Sequence, residues 1–194
     1  ACADAGELQR LGLPVCVSVN ISAVQFREES FLGMVKGILA QTALPPSLLE
    51  LEITEGVLAH DIAAASATLG ELKAMGVRIA IDDFGTGYSS LAYLKRLPID
   101  SIKVDKSFVR DIPRDKSDME ITAAVIAMAH KLELKVVAEG VENEREGVIA
   151  LESQADFVQG FYFARPMPAA ALPAEVARLE RELAHALSTG GASA

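Results

Sequence analysis

The chain carries only two cysteines, Cys2 and Cys16, and no Cys-x-x-Cys pair in its 194 residues. That excludes a disulfide framework and a thiolate zinc site, and it makes a reducing cytoplasm the expected setting. Cys16 stands in an apolar run and is expected as a small buried hydrophobe. No apolar stretch approaches the length of a membrane span, and no signal peptide is expected before the first helix. Clustered Lys and Arg are also missing, and the net charge is -9. General, phosphate-driven binding of DNA or RNA needs such clusters and is excluded, whereas a phosphorylated ligand remains admissible if the site itself carries cations. There is no Gly-rich phosphate loop, since Gly85-x-Gly87 alone is too short a signal, and no low-complexity linker. What remains is an Ala-rich globular composition, long enough to bury the core of one domain.

In chain order, strand and helix patterns alternate. A helix over 1–11 stops at Gly12. Val15 to Asn20 is β-branched and reads as a strand, Phe31 to Ala40 as a helix, and Leu49 to Glu55 as an alternating strand with Leu49, Leu51 and Ile53 on one face. A helix from about Asp61 to Met75 precedes the strand Val77 to Asp82. A short helix is expected over 91–96, a strand over Ser101–Asp105, a long helix through Leu132, a strand Lys135–Ala138, a helix Glu144–Leu151 and a last short strand Phe157–Gly160. Phe161-Tyr162-Phe163 reads as core packing below that strand. An Ala-rich helix over 169–187 closes the chain, with 188–194 expected as a disordered tail. This alternation implies α/β with a mainly parallel sheet.

The polar residues fall where these strands stop. Asp82 and Asp83 end an apolar strand and run straight into Gly85-Thr86-Gly87. Neighbours on a strand point to opposite faces, so both acids serve one site only where the pleat breaks, for which Gly85 and Gly87 supply permissive backbone. Taken alone, the pair reads equally as a solvated acidic turn. Asn20, Glu52, Lys103 and Glu139, however, also lie at or near strand ends, and in a parallel barrel those ends converge on one face. Oxygen donors of this kind suit Mg²⁺ or Mn²⁺, and two adjacent ions can activate water against a phosphodiester. Lys103 suits a phosphate or an attacking water, or else snorkels from an edge strand. His60, His130 and His185 lie on helical stretches and are expected to bind no metal.

Six ordered segments carry a resemblance that covers nearly the whole chain: Ser18-Val19-Asn20-Ile21-Ser22 with Gln25-Phe26; Leu51-Glu52-Ile53-Thr54-Glu55; Asp82 through Ser90; Ile102-Lys103-Val104-Asp105-Lys106-Ser107-Phe108; Ala138-Glu139-Gly140-Val141-Glu142; and Val158-Gln159-Gly160-Phe161. The chain resembles the EAL domain, the bacterial cyclic-di-GMP phosphodiesterase family. The resemblance implies a TIM-like (β/α) barrel that linearises cyclic-di-GMP to pGpG with two Mg²⁺ or Mn²⁺ ions. It implies metal ligation by Asn20, Glu52 and Asp82, with Asp82 bridging to a second ion held by Asp83. It further gives Lys103 the water, makes Glu139 a second-site acid, has Gln159 support the site, and has Glu55 hold the loop after Asp83, a region that also contributes to dimers in the family. Asp105 and Glu142 take supporting roles.

The front departs from the family pattern. The match begins in the helix before the family's third strand, and the Glu-Ala-Leu strand, whose Glu is a metal ligand, has no counterpart, since Glu7-Leu8 is in the wrong context. The expectation is a partial EAL domain over 1–187 with an incomplete barrel, lacking about the first two strands, impaired hydrolysis, and a homo-oligomer formed through exposed sheet edges. The competing readings are a non-catalytic cyclic-di-GMP receptor and a dimerisation module. A smaller departure, Ser153-Gln154-Ala155 in place of a Gly-Cys-like turn, is expected to affect local packing alone.

Overall fold

The computed structural model describes residues 1–58, 61–85, 94–111 and 116–190. Six strands, β1 (Val17–Asn20), β2 (Leu49–Thr54), β3 (Arg78–Phe84), β4 (Ser101–Val104), β5 (Lys135–Ala138) and β6 (Phe157–Val158), form one sheet in the order β1-β2-β3-β4-β5-β6. Every neighbouring pair is parallel. The order resolves what the alternation alone leaves open. Each connection advances one strand in the same direction, and right-handed crossovers then place all connecting helices on one face. The sheet curls with helices outside, giving an incomplete (β/α) barrel and not a doubly wound sheet.

Side-chain alternation assigns the two faces. Leu49, Leu51 and Ile53 of β2, Ile79 and Ile81 of β3, Ile102 and Val104 of β4, and Val136 and Ala138 of β5 are all buried, on the face turned to the helices. The helix Phe31–Thr42 meets them with Phe31, Val35 and Leu39, one per turn, and the helix Ile62–Ala74 with Ala65, Leu69 and Leu72. Each buried Val, Leu, Ile or Phe among them contributes about 1.5–3 kcal/mol. Asp61 starts the second of these helices by accepting the Ala64 N–H at 3.0 Å. The core therefore lies between sheet and helices, and the inner face of the strands is left for polar residues.

The chain enters β4 and β6 by one repeated device. The Asp100 N–H donates to Ile79 O at 2.9 Å, and its carboxylate accepts the Ile79 N–H at 2.8 Å and pairs with Lys73. The Asp156 N–H donates to Val136 O at 3.0 Å, and its carboxylate accepts the Val136 N–H at 2.9 Å, with Lys135 Nζ at 2.6 Å and His130 Nε2 at 2.9 Å. Each Asp thus pins the register of two strands at their amino ends. Burial works to raise the Asp156 carboxyl, but Lys135, His130 and the Val136 N–H hold it down at about 2. A carboxyl depressed in the folded state stabilises above its unfolded value near pH 4, and that contribution is lost as the pH falls towards 2. Asp156→Asn should cost about 1–2 kcal/mol at pH 7, allowing for the exposure of Lys135, and flatten the acid limb of a urea-denaturation profile between about pH 4 and 2.

Several expectations are corrected. Cys16 is exposed, because alternation from Val17 turns it to the inner face of β1, a strand paired only with β2 among the described residues. Phe161 and Tyr162 stand about half exposed, and only Phe163 packs against the core. The final helix, Leu172–Gly190, continues past the expected boundary, and 191–194 lie outside the described residues, as do His60, Thr86–Ser90 and 91–93 of the helix expected over 91–96. Of the other histidines, His130 pairs with Asp156, and the His185 side chain is outside the description. The departure at 153–155 falls on a left-handed turn: Gln154 has φ +71°, which glycine adopts without strain.

Candidate functional site

Residues paired across a parallel ladder share a face, so the register places the polar residues directly. Asn20 pairs with Glu52, Thr54 with Asp82, Ala80 with Ser101, and Lys103 with Val137. By alternation Asn20, Glu52, Asp82, Lys103, Glu139 and Gln159 then all belong to the inner face, at the carboxyl ends of six successive strands. Lys103 lies on β4, between β3 and β5, so it is not an edge-strand lysine reaching for solvent. It is 4% exposed, and its Nζ lies 2.7 Å from Glu52 Oε1, 2.6 Å from Glu139 Oε1 and 3.2 Å from Asp82 Oδ1. Burial works to lower the ammonium, yet the hydrogen bonds to Glu139 and Glu52 prevail and hold it above its ordinary value. Burial pushes the Glu139 carboxyl up; Lys103 opposes this, and Asp82 and Glu52 add to it.

The acid pair departs from regular strand geometry. Between the pairs Ile81/Ile102 and Phe84/Val104, β3 advances three residues while β4 advances two. The extra residue is accommodated beside Asp83, whose φ is +52°. Aspartate tolerates that left-handed backbone better than most residues, at a cost of roughly 1–2 kcal/mol. The result is that Asp82, Asp83 and Glu139 each offer a carboxylate oxygen, all within 4.8 Å of one another. Burial raises the Asp83 carboxyl, and the neighbouring Asp82 and Asp105 raise it further. The pleat therefore breaks at Asp83 itself, with Gly85 (φ +99°) continuing the turn, and not at the glycines alone.

Two residues brace this turn. Glu55, buried in the short helix Glu55–Leu58, accepts the Gly85 N–H on Oε1 at 3.2 Å. Phe108 lies against Gly85 so closely that a Cβ there would sit 2.9 Å from the ring. Sequence reading did not single out Phe108 for any role. Asp105 accepts both the N–H and the hydroxyl of Ser107, at 2.9 and 2.5 Å, which starts the helix Lys106–Asp111 and holds its own carboxyl down against burial. Asn20 and Gln159 are exposed, and among the described residues neither side chain hydrogen-bonds to the acid cluster. The Gln159 backbone is fixed, its N–H donating to Ala138 O at 2.9 Å and its O accepting the Val141 N–H at 3.0 Å. The Glu142 N–H donates to Glu146 Oε2 at 2.8 Å, a helix-capping contact.

Asp82 Oδ1 is buried and accepts no aligned hydrogen bond; Lys103 Nζ, 3.2 Å away, forms an ion pair with it. A buried carboxylate oxygen left in that condition, among further acids on rigid strand ends, fits a hard divalent cation.

Comparison with known proteins agrees with this geometry. A model of the EAL domain matches residues 1–166. The cyclic di-GMP phosphodiesterase NbdA of Pseudomonas aeruginosa is 48% identical over 173 residues, which is 89% of this chain but 22% of that protein's length. Among solved structures, the PaMucR phosphodiesterase in complex with c-di-GMP superimposes with a TM-score of 0.82 at 41% identity, over 88% of this chain and 71% of that one. BlrP1 of Klebsiella pneumoniae, in a complex with manganese and cy-diGMP, superimposes with a TM-score of 0.76 at 34% identity, over 85% of this chain and 42% of that one; it is also known in a calcium complex. A family match of this extent, on a sheet whose strand ends gather the acids as described, shows that the chain belongs to the EAL domain family.

Proposed function

We propose that this chain is the catalytic portion of a phosphodiesterase that hydrolyses one phosphodiester of cyclic-di-GMP to give linear pGpG, using Mg²⁺ or Mn²⁺. The observation that carries the reading is the buried, hydrogen-bond-free Asp82 Oδ1 beside Asp83, Glu139 and Glu52. The naming of NbdA and PaMucR as phosphodiesterases and the manganese in BlrP1 support it. In this reading Asn20, Glu52, Asp82, Asp83 and Glu139 would hold the two ions, with Asp82 serving both. Such ions, when bound, would supply Lewis acidity to the phosphodiester and lower the pKa of an attacking water. Lys103, held protonated by its ion pairs, donates hydrogen bonds that orient the water or a phosphate oxygen; it does not remove a proton. Glu55 keeps the turn after Asp83 in place through the Gly85 N–H, and Gln159 borders the site from the end of β6.

The 194 residues contain no Glu-Ala-Leu, so turnover by this chain alone is expected to be weak. A homo-oligomer, which the family resemblance implies through the region after Asp83, belongs to the same reading. A cytoplasmic setting belongs to the same reading; among the described residues no helix is long and apolar enough to cross a membrane. Calorimetry with cyclic-di-GMP, with and without Mn²⁺, beside a turnover assay for pGpG, tests the proposal. Metal-dependent binding with turnover supports it. Binding without turnover favours a receptor, and no binding favours a dimerisation module.

A further inference from the structure

We propose that Phe108 is a positioning residue for the acid pair, setting the place of the Asp83 carboxylate through the backbone of Gly85. The proposal rests on the metal reading above. Asp83 reaches Asp82 and Glu139 only because its backbone is left-handed and β3 carries one residue more than β4 at that point. Such a conformation persists where its surroundings determine it. On the side of β4, Phe84 pairs with Val104, Asp105 stands beside the Asp83 carboxylate, and the Phe108 ring lies against Gly85. A Cβ at Gly85 would lie 2.9 Å from Phe108 Cε2, 3.3 Å from Cζ and 3.7 Å from Cδ2, so the ring edge occupies the space beside the bare Gly85 Cα.

The ring is itself tied to the end of β4. The Phe108 backbone N–H donates to Asp105 O at 3.1 Å, and Asp105 fixes the start of the helix through the N–H and hydroxyl of Ser107. Asp105 follows Lys103 by two residues. One ring therefore carries the placement of the β4 end, and with it Lys103, across to the turn that presents Asp83. Glu55 approaches the same glycine from β2, through the Gly85 N–H. Between them, the helices that follow the strands on either side of β3 each send one side chain to Gly85, and the turn there is where the second carboxylate is aimed.

The test uses three variants of the full chain: Phe108→Ala, Phe108→Leu, which keeps most of the bulk, and Val109→Ala, a control in the fully buried neighbouring position. Two quantities are read: amide hydrogen exchange at Phe84 and Gly85, which needs no metal, and Mn²⁺ affinity by calorimetry. Phe108→Ala should accelerate exchange at Gly85 by at least about tenfold and weaken Mn²⁺ binding by about 10–100-fold, the range typical of groups that orient a ligand from behind. Phe108→Leu should stay within about threefold of the wild type in both. Val109→Ala should lower the melting temperature and leave both readings near wild-type. Unchanged Gly85 exchange in Phe108→Ala, or equal loss of Mn²⁺ affinity in Val109→Ala, overturns the proposal. Wild-type protein that binds no Mn²⁺ ends the metal reading and this role with it.

Discussion

Lys103→Met is expected to destabilise the protein by about 3–5 kcal/mol in the presence of chelator, and to make that loss depend strongly on pH. The ammonium is nearly fully buried and contacts carboxylate oxygens from three strands at 2.6, 2.7 and 3.2 Å. Methionine fills the same space with no charge. Glu52, Asp82 and Glu139 then face one another uncompensated, and the Glu139 carboxyl, already pushed up by burial, rises further once Lys103 no longer opposes it. A carboxyl raised in the folded state contributes stability that is present below its unfolded value, near pH 4, and lost as the pH rises through the folded value. The variant should therefore be near its best around pH 4–5 and weakest at pH 8. Addition of Mn²⁺ should restore much of the loss, because a divalent cation replaces the missing positive charge. Urea denaturation at pH 5 and pH 8, with chelator and with Mn²⁺, reads all of these. A variant with wild-type stability at pH 8 in chelator would show that the three ion pairs contribute little.

Gly160→Ala should have an effect of similar size through a different cause. A Cβ on Gly160 would lie 2.0 Å from Val141 O, 2.4 Å from its N and 2.6 Å from its carbonyl carbon. These are backbone atoms of a residue with no exposure, and they are hydrogen-bonded around the glycine: Val141 N–H to Gln159 O and Tyr162 N–H to Val141 O, both at 3.0 Å. No side-chain rotation relieves the overlap. Both hydrogen bonds must open, and the crossing of the chain after β5 over the end of β6 must separate. A cost of about 4 kcal/mol or more follows, which in a domain of this size lowers the melting temperature by roughly 10 °C. Because Gln159 is held by one of those hydrogen bonds, its place beside the site should be lost as well. A melting temperature within about 2 °C of wild type would show that the backbone there yields more readily than its contacts imply.

Much of this was legible in the sequence because it depends on period and position. Strand alternation is a local property, so Asn20, Glu52, Lys103 and Glu139 could be placed at strand ends, and the parallel register then brings them to one face. The barrel itself came from the resemblance; strand order, which distinguishes it from a doubly wound sheet, depends on contacts far apart in the chain. The bulge at Asp83 was not legible. Nothing in Asp-Asp-Phe-Gly distinguishes a left-handed second aspartate from a regular strand end, since that backbone is imposed by Glu55 and Phe108, residues 28 before and 25 after Asp83 in the chain. Cys16 failed for a related reason. Its β-branched neighbours are right for a strand, but which face is covered is set by the number of strands beside it. Phe161 and Tyr162 failed because an aromatic triplet carries no period that distinguishes buried from exposed.

The most direct measurement is a calorimetric titration with Mn²⁺ of the wild-type protein and of Asp82→Asn, each with cyclic-di-GMP present. If the strand-end acids form a metal site with Asp82 at its centre, the wild type takes up Mn²⁺ and Asp82→Asn loses at least about tenfold in affinity, equal to 1.4 kcal/mol. Equal Mn²⁺ affinity in the two proteins would contradict the assignment of Asp82 and, with it, the site.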